Sequence, residues 1–287
     1  MSEKTTKHAL IMEGGAMRGL FTCGVIDVFM EEDITFDAAI GISAGAVFGS
    51  NYKSRQIGRP LRYNTTYCRD KRYCSLESLI KTGDLYGVDF CYRELPEELD
   101  IFDKQAFREN PMKFYVGATD AETGEAVYHL CTDGEKTDMD WMRASASMPM
   151  VSRPVEIDGK KLLDGGIADS VPYKFMESLG YTRNVIILTQ PQGYWKKDYP
   201  YMTVVKAVLK KYPAIAKAMK ERPFVYNTQM AGIEAREKNG EAFVIRPPQD
   251  LQIGKVEKDP EELKRVYQIG REEALRVLPA MKEFLAK

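Results

Sequence analysis

The sequence predicts an α/β fold built on a mostly parallel sheet, and three observations carry that reading. Two apolar runs of strand type, Ala9-Leu10-Ile11-Met12 and Phe36 to Ile40, are each followed by a glycine-framed loop and then by a helical pattern. Parallel strands need helical crossovers, so β-loop-α repeated twice points to a parallel sheet with helices on its faces. The third observation is size: 287 residues, 44% hydrophobic and 29% charged, can bury a sizeable core.

The elements follow in order. After Ala9–Met12 comes the loop Glu13-Gly14-Gly15-Ala16-Met17-Arg18-Gly19, and Leu20, Val25, Ile26 and Phe29 then recur at helical spacing on a segment ending near Glu32. The second strand leads into Gly41-Ile42-Ser43-Ala44-Gly45, and Ala46 to Tyr52 begins the next helix. From Arg55 to Asp100 periodicity is weak and the composition polar and aromatic, which reads as an excursion over the top of the sheet. Lys113–Thr119 and Ala126–Leu130 flank a Thr123-Gly124 turn as a hairpin. A second hairpin, Val155–Ile157 and Lys161–Leu163 around Asp158-Gly159, delivers Asp164. Pro172 and Gly180 bracket a short helix, and Asn184 to Thr189 is a further buried strand. Helical spacing returns over Tyr201–Arg222, interrupted by Pro213, and over Glu261–Leu285, broken near Pro279. These positions divide the chain into a catalytic region over 8–190 and a mostly helical extension over 191–287.

Composition narrows function. A net charge of −1 gives no reason to expect nucleic acid as a partner. The polar start of the chain and the short run Ala9–Met12 do not match a signal peptide, no stretch approaches a membrane span, and five cysteines without a C-x-x-C pair suit reduced thiols. The expected address is cytoplasmic, with any membrane contact peripheral. Asn64-Thr65-Thr66 matches a glycosylation acceptor but carries little weight without secretion.

The chemistry rests on three loops. A serine hydroxyl becomes a nucleophile when a base takes its proton and fixed donors receive the oxyanion. Gly41-Ile42-Ser43-Ala44-Gly45 has the strand-turn-helix setting of a nucleophile elbow, with Gly41 and Gly45 relieving the turn and small neighbours limiting crowding. The helix after Ser43 directs its free N–H groups at the site. Gly14, Gly15 and Ala16 stand at the mouth of the preceding unit as oxyanion donors. The chain has two histidines, His8 and His129, both preceding Asp164, so a Ser-Asp-His order is impossible with that acid, and both histidines read as structural. A carboxylate is left as base. Asp120 and Asp169 compete, but Asp164 ends a buried-looking strand and is followed by Gly165 and Gly166, which permit close approach. An ordinary aspartate is a weak base, so a dry site is expected around Ser43 and Asp164.

These motifs, in this order, resemble those of the patatin-like phospholipases: a D-G-G-G-x-R-G loop, a G-x-S-x-G elbow and a D-G-G or D-G-A motif. The likeness spans about Ala9 to Thr189. It implies a three-layer α/β/α sandwich with a helical C-terminal extension, and a Ser/Asp dyad of Ser43 as nucleophile and Asp164 as proton acceptor. The oxyanion loop runs from Gly14 to Gly19, including Met17 and Arg18, and Ser147-Met148-Pro149 matches the approach to the aspartate loop. Two departures stand out: Glu13 in place of aspartate, and Ala16 in place of the third glycine, tolerable if its φ is negative.

The expected activity is hydrolysis of lipid or other acyl esters without metal or organic cofactor. Alternatives are an acyltransferase using the same dyad and a lipid-binding or regulatory module whose dyad is idle. A dinucleotide loop is disfavoured because Ala16 breaks G-x-G-x-x-G. The lysine-bearing segment from Thr203 through Lys220 reads as a packed helix with solvated lysines in preference to a membrane-lying one. Tyr63, Tyr67 and Tyr73 read as a local satellite core in preference to an acyl pocket.

Overall fold

The structure is a computed structural model that describes residues 7–287. In chain order its regular elements are β1 (His8–Met12), α1 (Gly19–Glu31), β2 (Ala38–Ile42), α2 (Ala44–Lys53), α3 (Arg59–Tyr67), α4 (Leu76–Thr82), α5 (Lys104–Glu109), β3 (Lys113–Asp120) and β4 (Ala126–Cys131). There follow α6 (Lys136–Ser145), β5 (Val155–Ile157), β6 (Lys160–Asp164), α7 (Tyr173–Ser178), β7 (Arg183–Ile187), α8 (Met202–Val208), α9 (Pro213–Lys238), β8 (Ala242–Ile245) and α10 (Pro260–Leu285). The strands form one sheet in which β3, β2, β1, β7 and β8 run parallel, with β4, β5 and β6 making the antiparallel part.

Side chains along each strand alternate between the two faces, so β1 serves two cores. Leu10 and Met12, with Ala39, Val185 and Ile187, pack toward α1 and α2. Ala9 and Ile11, with Ile40 and Ile186, pack toward Tyr173 and Met176 of α7 and Ile233 of α9. This is a three-layer α/β/α sandwich. Buried on nearly every face from Gly19 to Met30, α1 is covered from outside by α10. The two helices cross where both carry glycine: a Cβ on Gly24 would lie 2.1 Å from the Tyr267 carbonyl oxygen, and one on Gly270 2.0 Å from that of Phe21.

Four features depart from the sequence reading. The stretch after Arg55 is largely helical: α3 carries Pro60 in its first turn, Ser75 caps α4 by accepting from the Ser78 N–H at 3.0 Å, and Phe90–Leu99 forms a π-helical segment containing Pro96. Pro213 opens α9, where its missing N–H is harmless, and α9 continues to Lys238 through Pro223. Pro279 does not break α10, and it lies on the exposed side of that helix. The segment after 191 also contributes β8, which pairs with β7 from Asn184↔Ala242 to Ile187↔Ile245 and extends the sheet. Asn64 is buried, with its side chain bonded to the Pro60 carbonyl and the Tyr73 hydroxyl, which closes it to glycosylation.

Candidate active site

The elbow forms because β2 ends one residue before a helix begins. Ser43 has φ 55° and ψ −121°, a conformation that costs a non-glycine residue about 1–3 kcal/mol and is held by its surroundings. Two close approaches do the holding: a Cβ on Gly41 would lie 2.2 Å from the Gly45 carbonyl oxygen, and one on Gly45 2.4 Å from that of Met12. The Ser43 N–H donates to Ser145 Oγ at 2.8 Å, and Ser145 Oγ donates to the Gly117 carbonyl at 2.6 Å. Ser145, on the last turn of α6, had no sequence signal, because nothing local ties it to a loop 102 residues away.

Ser43 meets Asp164 through the pairing of β3. Residues 118 and 119 pair with β4 on one edge of β3, so β6, which pairs with the same residues, occupies the other edge. That is the edge β2 uses as far as Ile42↔Gly117, and β6 runs antiparallel and ends at Asp164↔Ala118. The C-terminal ends of β2 and β6 therefore abut on one edge, and the residues leaving them face each other. Ser43 Oγ donates to Asp164 Oδ2 at 2.7 Å. The other carboxylate oxygen accepts the Gly166 N–H at 2.8 Å, and the Asp164 N–H donates to the Ser147 carbonyl at 2.9 Å, so the Ser147 stretch braces the aspartate loop. Burial pushes the Asp164 carboxyl above the ordinary aspartate range, opposed by the Ser43 hydrogen bond and by the charge of Arg222. Asp120 and Asp169 are occupied elsewhere, Asp120 by the Glu122 and Thr123 N–H groups and Asp169 by the Tyr128 hydroxyl and Gln229.

The glycine loop lies against the elbow: a Cβ on Gly14 would stand 2.8 Å from Ser43 Cβ. Among the described residues the Gly14 and Gly15 N–H groups donate to no protein acceptor, which leaves them open to a bound group. Ala16 opens a 3-10 turn with Met17 and Arg18, and its φ is +50°, so the condition of a negative φ is not met. The loop keeps the left-handed geometry that a third glycine would adopt freely, and Ala16 bears the strain. Met17 is buried, and Gly19 begins α1 hard against Ala44. Glu13 is buried: Oε2 accepts the Thr189 N–H at 2.6 Å and the Thr189 hydroxyl at 3.1 Å, and Oε1 accepts the Tyr226 hydroxyl at 2.8 Å. The longer side chain thus ties the loop both to the end of β7 and to α9.

Ser43 opens onto a cavity of about 1080 Å³, counted with its mouth. Its walls include Ala44, Val47 and Phe48 of α2, Leu95 and Phe102, and Met142 of α6, so it is mostly apolar. Tyr63 and Tyr73 line it while belonging to the core, whereas Tyr67 packs edge-on against Phe90. The satellite-core reading is therefore incomplete for the first two.

The histidines lie elsewhere. His8 starts β1, at the opposite end of the parallel strands from Ser43. His129 bonds Asp138 at 2.9 Å and stacks on Trp141. His129, Cys131 and Asp138 have potential metal-binding atoms within 4.8 Å of one another. That set fits a metal poorly, since Asp138 Oδ1 faces His129 and Oδ2 accepts the N–H groups of Thr132, Asp133 and Gly134.

Comparison with known proteins agrees with this geometry. The family model described as patatin-like phospholipase matches residues 10–176, and one described as a domain of unknown function (DUF6363) matches residues 212–286. The chain is 30% identical to the protein YjjU of Escherichia coli over 196 residues, 67% of this chain and 54% of YjjU. It is 25% identical to the lysophospholipase nte1 of Emericella nidulans over 182 residues, 60% of this chain and 11% of that protein. The solved structure of VipD from Legionella pneumophila superposes with a TM-score of 0.48 at 13% identity, covering 96% of this chain and 67% of VipD. The chain thus spans about half the length of YjjU and a small part of nte1. With the glycine loop, the elbow and the aspartate loop all inside the matched span, the chain belongs to the patatin-like phospholipase family.

Proposed function

We propose that this protein is a serine acyl hydrolase that cleaves carboxylic esters of lipids through an acyl-enzyme on Ser43. The observation that carries the reading is the 2.7 Å hydrogen bond from Ser43 Oγ to a buried carboxylate whose affinity for a proton is raised. In this mechanism Ser43 Oγ attacks the ester carbonyl carbon and its proton passes to Asp164 Oδ2. The carbonyl oxygen, now negative, is held by the Gly14 and Gly15 N–H groups, with Ala16 and the N-terminus of α2 adding to the field. Collapse of the tetrahedral intermediate breaks the ester bond, and the leaving alkoxide takes the proton back from Asp164. Water then repeats the sequence on the acyl-serine, releasing the acid and regenerating the hydroxyl.

The lipid part of the reading is supported by the apolar cavity at Ser43, which can shelter an acyl chain, and by the likeness to a lysophospholipase. Among the described residues no helix is long and apolar enough to cross a membrane. The test is product analysis with 1-palmitoyl lysophosphatidylcholine and p-nitrophenyl butyrate, with and without added glycerol. Hydrolysis predicts free acid in both conditions and none with Ser43→Ala. Acyl glycerol as the main product would identify an acyltransferase instead.

A further inference from the structure

Large apolar side chains crowd one outward face of the molecule. Among the described residues, five of the fifteen that stand exposed, Trp195, Tyr201, Val204, Val208 and Phe224, fall between positions 195 and 224. Trp195 is 69% exposed and Tyr201 and Phe224 77% each, so these rings are not the fringe of a core. An exposed apolar patch of this kind marks a surface that meets something else.

Three elements bring the five together. Tyr201, Val204 and Val208 recur three and four residues apart and share one side of α8. On the other side Val205 and Leu209 pack in one cluster with Ile215 and Met219 of α9 and with Leu163 and Ile167, which flank Asp164. Lys217, Lys220 and Phe224 share the outward side of α9. The loop carrying Trp195 is pinned to α9 one turn beyond Phe224. There the Lys196 N–H donates to Asn227 Oδ1 at 2.9 Å and Asn227 Nδ2 to the Lys196 carbonyl at 3.0 Å, while Arg222 Nη1 donates to the Tyr199 hydroxyl at 2.8 Å. The expectation of a packed helix with solvated lysines holds for the inward side of α8, but the outward side carries apolar residues as well. The break at Pro213 is no obstacle, since two helices and a loop make the face, not one long helix.

Lysines surround these side chains. Lys197, Lys206, Lys210, Lys211, Lys217 and Lys220 are exposed, against two exposed acids in the same span, Asp198 and Glu221, in a chain whose net charge is −1. Among the described residues none of these lysines forms an ion pair, whereas lysines on other exposed helices do, Lys81 with Glu77, Lys136 with Asp140 and Lys264 with Glu261. Apolar and aromatic side chains ringed by unpaired lysines match the boundary of a bilayer, where Trp and Tyr sit at headgroup level and lysines meet anionic headgroups. A second copy of the chain fits worse, because pairing this face with itself sets lysines against lysines.

We propose that the outward face formed by the Trp195 loop, α8 and the first half of α9 is a docking surface for an anionic lipid bilayer, with the five apolar side chains entering the headgroup layer and the lysines meeting its charge. The face responds to the charge and interface of the bilayer, not to an ester bond, so it goes beyond the hydrolase reading and does not depend on it. Because α8 packs on the residues flanking Asp164, docking holds the aspartate-loop end of the molecule at the bilayer.

The test is sedimentation with vesicles of diether phosphatidylcholine, with and without diether phosphatidylglycerol, which offer Ser43 no acyl ester. The wild type is expected to bind the anionic vesicles at least about tenfold more tightly than the neutral ones, and to lose most of that preference in high salt. The chain has two tryptophans, and Trp141 is buried against His129, so a blue shift of emission on binding reports Trp195 entering the lipid. Trp195→Ser combined with Phe224→Ser should weaken binding about tenfold or more. Lys206→Gln combined with Lys210→Gln and Lys211→Gln should do the same, at about fivefold per lysine. Both variants change exposed side chains and should unfold at the wild-type temperature.

Equal binding of neutral and anionic vesicles, or binding to neither, would overturn the proposal, as would binding without a blue shift or unchanged binding by either folded variant. A wild type that dimerises in solution and becomes monomeric in Trp195→Ser with Phe224→Ser would also overturn it, by making the face an interface between copies of the chain. None of these results touches the hydrolase reading, which is tested separately on soluble p-nitrophenyl butyrate.

Discussion

Tyr226 donates a 2.8 Å hydrogen bond to Glu13 across 213 positions of the chain, so the candidate oxyanion loop is fastened to α9. The second Glu13 oxygen holds Thr189 at the end of β7, and the glutamate bridges two elements that the sheet order alone leaves separate. The part of the chain after residue 191 is in this way built into the site.

Removing the Tyr226 hydroxyl leaves a buried carboxylate oxygen without its donor, a loss of about 1–3 kcal/mol. Tyr226→Phe is expected to lower the melting temperature and to reduce kcat on p-nitrophenyl butyrate more than it raises KM, because the candidate oxyanion loop loses an anchor. Thermal unfolding and steady-state kinetics on the same preparation check both.

Ser145 both receives the Ser43 N–H and donates to the Gly117 carbonyl. Ser145→Ala leaves each without a partner at a strained residue. It should cost about 1–3 kcal/mol of stability and cut kcat at least several-fold, while Ser145→Thr, which keeps the hydroxyl, should retain more of both. Denaturant unfolding followed by initial rates distinguishes the two variants.

Ala16 pays for its left-handed backbone, which glycine adopts at no steric cost. Ala16→Gly removes about 1–2 kcal/mol of strain against about 0.5–1 kcal/mol of added chain entropy in the unfolded state. The expected outcome is a protein as stable as the wild type or up to about 1.5 kcal/mol more stable, whereas Ala16→Val should be clearly destabilised. Urea unfolding of the three proteins gives the order.

Asp27 is one contributor to the pH dependence of stability. Burial raises its carboxyl to about 6, even though Oδ2 accepts the Gly58 N–H at 2.9 Å and the Tyr267 hydroxyl at 2.6 Å and Arg271 lies near. Between its ordinary value and about 6 the folded chain holds a proton that the unfolded chain has released, so stability falls as pH rises through that window and levels off above it. Asp27→Asn can keep both hydrogen bonds through its carbonyl oxygen and place its amide where Oδ1 has no partner. It should lessen the fall in unfolding free energy between about pH 4 and pH 6, measured by urea titration of both proteins across that range.

The sheet and the three glycine loops were legible because strand, turn and helix signals are local. Ser43 and Asp164 could be named from their own loops, but their meeting depends on β2 and β6 ending on the same edge of β3, a pairing no local pattern encodes. Ser145, Tyr226 and Arg222 were silent for a related reason: each acts on a residue more than fifty positions away, from a helix face that looks ordinary in isolation. β8 was missed because four residues between two long helices give too short a run for alternation to register. Pro213 marks a real break, between α8 and the helix it opens, whereas Pro279 sits on a solvent face without breaking α10.

The most direct test of the account is the intact mass of the protein after reaction with a fluorophosphonate, for wild type, Ser43→Ala and Asp164→Asn. The account predicts one adduct per wild-type chain, none on Ser43→Ala, and formation slowed by orders of magnitude on Asp164→Asn, where no base takes the proton. An adduct that persists on Ser43→Ala, or a wild type that stays unmodified while a control serine hydrolase reacts fully, would contradict it.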